Sequence, residues 1–136
     1  MPTDDLRDQL ACATTGLYLP SAVEPLTILV WPARTPRTPE PLRARLMFDD
    51  HVPTTVMSST NFFAPLAMLE RGMDAVTQQR ALRFAALATL LDASLTEVTV
   101  TRIGRITIVV FIMGVAYDGR IVGLCTTVIE PMSWAS

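Results

Sequence analysis

The stretch ITIVVFIMGVA, residues 106–116, most limits how this chain can fold. It is nearly all apolar, yet too short to span a bilayer, which takes roughly 20 residues. As a strand it has no solvent face, so both of its faces need cover. Asp118-Gly119 follows as a hairpin turn signal, and RIVGLCTTVIE, residues 120–130, returns beside it. Upstream, TEVTVTRIG, residues 96–104, alternates with period two. That puts Val98, Val100 and Arg102 on one face, and Gly104-Arg105 makes the turn into the apolar strand. The last third of the chain therefore reads as a three-stranded meander.

The layers that cover it come from upstream. Thr3 stands where a helix cap would, with Asp4 and Asp5 in the first turn at the positive end of the dipole. Leu6, Leu10 and Ala13 share one face, and Gly16 is a stop signal. Residues 26–31 read as a strand after the turn PSAVEP. The arm WPARTPRTPEPLRAR has prolines at 32, 36 and 39 that interrupt regular structure, and a short helix is expected at 41–47. Its arginines, 34, 37, 43 and 45, read as a solvated loop or as an anion-binding arm. Residues 52–57 are weakly strand-like, and SSTNFFAPL offers a cap and a short helical turn. Asp74 caps the strongest helix, residues 75–95, with Val76, Leu82, Ala86, Leu87, Leu90 and Leu91 as core candidates and Gln78, Gln79, Arg83 and Asp92 outside. The pattern predicts a three-layer α/β/α sandwich around a mainly antiparallel sheet of about four strands.

Composition narrows the class. With 136 residues, half of them hydrophobic, the chain suits one domain, 1–136, with a full core. A Pro/Arg-rich loop at 32–45 and a short tail at 131–136 are its irregular parts. A net charge of −2 gives no reason to expect direct nucleic-acid binding. The opening MPTDDLRDQL is acidic and polar rather than a secretory leader, so a cytoplasmic protein without a membrane anchor is expected. Cys12 and Cys125 then read as reduced, buried thiols.

Catalytic signals are weak. His51 is the one histidine and sits in FDDHVP beside Asp49 and Asp50. Adjacent residues rarely converge on one metal ion, and no second cluster of histidine or cysteine exists. The serines lack a nucleophile-elbow context, and no glycine-rich phosphate loop is present. The residues describe a binding module, with no catalytic residue, metal site or cofactor assigned.

Three segments together resemble the nuclease A inhibitor family of bacterial proteins. LRDQLACATTGLYLPS, continued to the tryptophan of VW at 31, is similar to the family's opening helix, turn and strand. FFAPLAMLERGMDAVTQQRALRFAALATLL, residues 62–91, has its Phe-Phe pair and long helix. VTRIGRITIVVFIMGVAYDGRIVGLCTTVIE, residues 100–130, looks like its closing meander. The resemblance implies an α/β/α sandwich that blocks a sugar-non-specific, metal-dependent DNA/RNA endonuclease by offering acidic and polar oxygens in place of substrate. It makes Ser21, Glu24, Glu70, Arg71, Glu130 and Trp134 the partner-binding candidates.

At three of these places the chain departs from the family. Ala22, not an acid, follows Ser21, leaving Glu24 as the nearest carboxylate. Arg71-Gly72 replaces an acidic-aromatic pair, and Arg71 would repel an arginine-lined groove. Pro131 stands where the inhibitor presents a terminal threonine to the metal, and MSWAS follows. The expected function is thus a nuclease-inhibitor-like binding protein whose target differs. The alternative is a ligand- or peptide-binding or self-associating domain that kept the fold without inhibition, with PMSW as an apolar contact. The partner is a nuclease or another protein, and a homo-oligomer fits the alternative.

Overall fold

A computed structural model describes residues 3–49 and 51–130. In chain order the elements are α1 (Thr3–Thr14), β1 (Thr27–Trp31), α2 (Pro39–Arg45), β2 (Thr54–Ser58), α3 (Ser59–Leu66), α4 (Ala75–Ser94), β3 (Thr96–Gly104), β4 (Thr107–Val115) and β5 (Ile121–Ile129). The strands form one antiparallel sheet in the order β1-β5-β4-β3-β2. It has five strands rather than about four. The addition is β2, whose TTVMS is short and mostly exposed, as suits a sheet edge.

The central apolar strand behaves as its composition requires. Along β4, Ile108, Val110 and Ile112 join one core, while Phe111 and Met113 join another. Alternation along a strand places these two sets on opposite faces. The faces are covered unequally. Leu6 and Leu10 of α1, Phe63 of α3, and Phe84, Leu87 and Leu91 of α4 pack on the first. The second is covered by Leu42 of α2 with Leu46, Phe48 and Val52 around it, so the expected helical layer there is one short helix.

That helix starts earlier than its sequence signal. Pro39 is its first residue, where a missing N–H costs nothing because no intrahelical acceptor exists there. The Pro/Arg segment at 32–45 is therefore partly helical, and three of its arginines hold it to the body. Arg37 pairs with Glu97 at 3.2 Å and also donates to the Glu97 carbonyl. Arg43 donates to Thr54 Oγ1 at 2.8 Å. Arg45 lies over the Trp31 ring, 4.2 Å from its centroid. Trp31 in turn meets Phe111 at 6.0 Å between ring centroids.

In α4 the cap is as read, with Asp74 accepting from the Thr77 N–H at 2.7 Å. The buried stripe is rotated from the expected one. It consists of Ala81, Phe84, Leu87 and Leu91, while Val76 and Leu82 are 68% and 56% exposed. Ala86 also faces out. Arg83, expected in solvent, is half-buried and donates to the Ala13 and Thr15 carbonyls, tying α4 to the end of α1. Thr3 does not cap α1; its hydroxyl donates to Asp118 Oδ2 at 2.7 Å, joining the first turn of α1 to the β4–β5 turn. No helix among the described residues is long and apolar enough to cross a membrane.

Candidate functional site

The site is built on the outer edge of β5. Gly16 turns the chain after α1 at φ +68°, and beyond it Leu17 and Leu19 are buried while Tyr18 and Pro20 are exposed. Regular extension of the β1–β5 register would place Glu24 opposite Val128. Instead Ala22 bridges Val128, so two extra residues bulge between this bridge and β1. The bulge is pinned at each side. Ile129 N–H donates to the Ser21 carbonyl at 3.1 Å, and Val23 N–H to the Thr127 carbonyl at 3.0 Å. Ser21 takes φ +64° to make the turn.

The bulge carries Glu24 outward. Thr126 Oγ1 donates to its carbonyl at 2.8 Å and Thr127 Oγ1 to its carboxylate Oε1 at 3.1 Å. Its charge also reaches Cys125. Burial first, and the Glu24 charge second, push that thiol up to about 11. Cys12, by contrast, is exposed rather than buried.

Glu130 follows directly on β5. Its N–H donates to the Ile106 carbonyl at 2.9 Å, and its carboxylate pairs with Arg102. Both side chains of the pair are about three-quarters buried, at 26% and 28% exposure, and desolvation holds the Arg102 guanidinium below its usual range. The pair stands in the wall of a pocket of about 300 Å³ between α3 and the sheet. Leu19, Phe62, Leu66, Val110 and Val128 form most of its apolar lining. The sequence reading did not single out Arg102 as a site residue. Its signal was a charge on the same strand face as Val98 and Val100, which in a core-facing row demands a partner.

Ser21, Glu24 and Glu130 are thus brought to one end of β5. Glu70 and Arg71 lie on the α3–α4 connection, and among the described residues no hydrogen bond or ion pair joins them to the other three. Both are exposed, with Gly72 turning the chain at φ +82°. Arg71 has no hydrogen bond or ion pair among the described residues. Trp134 lies outside the described residues. His51 is exposed and bonds through its backbone, donating to Asp49 Oδ1 and accepting from Arg105. Among the described residues no three His, Cys, Asp or Glu side chains gather to hold a metal ion.

This arrangement offers an outward carboxylate on a pinned bulge and a paired carboxylate at a pocket wall. Such groups suit recognition by hydrogen bonds and charge. A family model described as nuclease A inhibitor-like protein matches residues 4–131, nearly the whole chain. No curated protein matches it.

Proposed function

Because the chain belongs to the nuclease A inhibitor-like protein family, we propose that it is a non-catalytic protein-binding module working in the bacterial cytoplasm, with a nuclease-type partner. The match over residues 4–131 carries this reading. The presentation of Glu24 on a rigid bulge supports it, since a preorganised carboxylate loses little freedom on docking. In this reading the fold is the family's α/β/α sandwich, with α2 and the arm as its thin third layer. Ser21, Glu24 and Glu130 form one part of the partner surface and Glu70 and Arg71 a second, and Trp134 is assigned to that surface from the sequence alone. Exposed Arg71 sets the target apart. A cation there opposes an arginine-lined nucleic-acid groove, so the partner is a nuclease whose surface differs at that point.

Capture from native extract, with the wild-type chain as bait and Glu24→Arg as control, tests the proposal. A nuclease retained by the wild type and lost from the control is expected, together with inhibition of that nuclease by the purified chain. Retention of only non-nuclease peptides or proteins would overturn it in favour of a binding domain that kept the fold. The apolar pocket beside Glu130 is the feature that favours this second reading.

A further inference from the structure

The sheet ends in two edges, β1 and β2. Among the described residues the backbone of β1 hydrogen-bonds only to β5, so the N–H and C=O groups on its outer side have no partner there. Edge strands are usually blunted by a charge, a proline or a bulge within them. TILVW has none of these. Ile28 and Val30 pack against one core and Leu29 and Trp31 against the other, and all four are half-buried. A further strand beside β1 would cover both cores at once and complete the ladder.

The charges flanking β1 say what that strand is. From residue 24 to residue 34 the only charged side chains are Glu24 and Arg34, one on each side of Leu29 and each five positions from it. A second β1 laid antiparallel about Leu29 pairs Leu29 with itself, Ile28 with Val30 and Thr27 with Trp31. The same two-fold relation sets Glu24 of each copy opposite Arg34 of the other. Both side chains are exposed. Glu24 accepts from Thr127 at one carboxylate oxygen, 3.1 Å away, and the other accepts no hydrogen bond among the described residues. Arg34 makes no hydrogen bond or ion pair among them. The β2 edge lacks this complementarity, since no residue from 52 to 60 is charged.

We propose that two copies of this chain join antiparallel along β1, about a two-fold axis at Leu29, with a Glu24–Arg34 ion pair between copies at each end of the join. The sheet then runs continuously through both copies, and the contact is self-complementary, as a two-fold interface requires. The join adds about four to six backbone hydrogen bonds, depending on which alternate residues point outward. Ile28 against Val30 is a β-branched cross-strand pair, which favours the register. The strand pairing stops at Pro25 and Pro32, and the ion pairs close it on either side. Because Glu24 also belongs to the proposed nuclease-type surface, self-association and partner binding compete for it. The dimer itself does not rest on that partner.

Sedimentation velocity of the full chain tests it, with no nuclease present. The wild type is expected to show a dimer that dissociates to monomer on dilution. Glu24→Arg and Arg34→Glu each put like charges at both ends of the join and should raise the dimer dissociation constant about tenfold at low salt, less at high salt. An equimolar mixture of the two variants sets opposite charges together again at both ends, and so does the chain carrying both substitutions. Each should return the dissociation constant to that of the wild type. Arg34 makes no polar contact within its own copy, so Arg34→Glu remains a clean test if loss of the Thr127 bond disturbs Glu24→Arg, with far-UV circular dichroism reporting the fold of each. A wild type that stays monomeric at sub-millimolar concentration overturns the proposal. So does a dimer indifferent to both single variants, which lies on another surface. Weakening by the single variants that neither the mixture nor the double exchange repairs also overturns it, since the charges then do not meet across the two copies.

Discussion

Cys12 and Cys125 carry the same thiol in opposite settings, and the difference is measurable. Cys12 is exposed, whereas burial raises the folded Cys125 pKa from 9.0 to about 11. Since the thiolate is the reactive form, the native protein at pH 8 should show one fast and one slow thiol in alkylation kinetics. Equal rates would contradict the burial. The sign of the linked stability follows. Between pH 9 and 11 the unfolded chain has released the Cys125 proton and the folded chain retains it. Stability from this group is complete below pH 9 and is lost as pH rises through 11. Urea midpoints over that range should fall more steeply for wild type than for Cys125→Ala. Ser21 offers a second residue-scale test. An L-residue at φ +64° carries strain of about 1 kcal/mol that glycine avoids. Ser21→Gly should keep or raise the melting temperature, and a drop would mean that the hydroxyl contributes more than the strain costs.

At the scale of elements, β4 divides two cores. Ile108 is 6% exposed toward the helix-rich face and Phe111 is 3% exposed toward α2. Each truncation to alanine should cost about 2–5 kcal/mol in urea melts, since both leave a cavity between packed layers. A cost below about 1 kcal/mol for Phe111 alone would show that the thin layer does not seal its face. β5 needs a close approach to β4 at Gly123, where an added Cβ would run into the Ile112 carbonyl and the Met113 backbone. The α1 tie is pH-dependent. The Thr3 hydroxyl, with the Arg120 N–H behind it, holds the Asp118 carboxyl below its ordinary 3.8. A depressed folded value means the tie stabilises above about pH 4 and is lost as pH falls through the folded value. Thr3→Val should therefore lower the melting temperature at pH 6, with the difference from wild type shrinking below pH 4. A gap that persists at low pH would trace the loss to packing instead of the hydrogen bond.

For the whole molecule, the decisive quantity is the charge it shows a partner. Net charge is −2, yet the exposed α3–α4 connection presents Arg71 next to Glu70. Against a sugar-non-specific, metal-dependent endonuclease, the wild-type chain is expected to inhibit weakly and Arg71→Glu more strongly. The gain should be larger at low salt, because an exposed charge acts mainly on encounter. Titrating nuclease activity with each protein at two salt concentrations measures it. Potent inhibition by the wild type, or no change on substitution, would remove Arg71 from the partner surface.

The sequence by itself determined the elements whose signals are local. The meander, the Asp118-Gly119 turn, the Asp74 cap and the doubly covered β4 follow from apolar period and turn chemistry, which act between near neighbours. The family was legible too, because order and spacing survive where single contacts change. Tertiary structure decided the rest. Which stripe of α4 is buried depends on where α1 and α3 sit, and α4 is apolar enough on several sides that period alone left Val76 and Leu82 as core candidates. β2 became a fifth strand because β3 had a free edge, not because TTVMS is a strong strand. Arg37, Arg43 and Arg45 read as a solvated or anion-binding arm, but their partners Glu97, Thr54 and Trp31 stand far along the chain or across the sheet. Ser21, Glu24 and Glu130 came together for the same reason: more than a hundred residues separate Glu24 from Glu130, and only the antiparallel pairing beside β5 closes that distance.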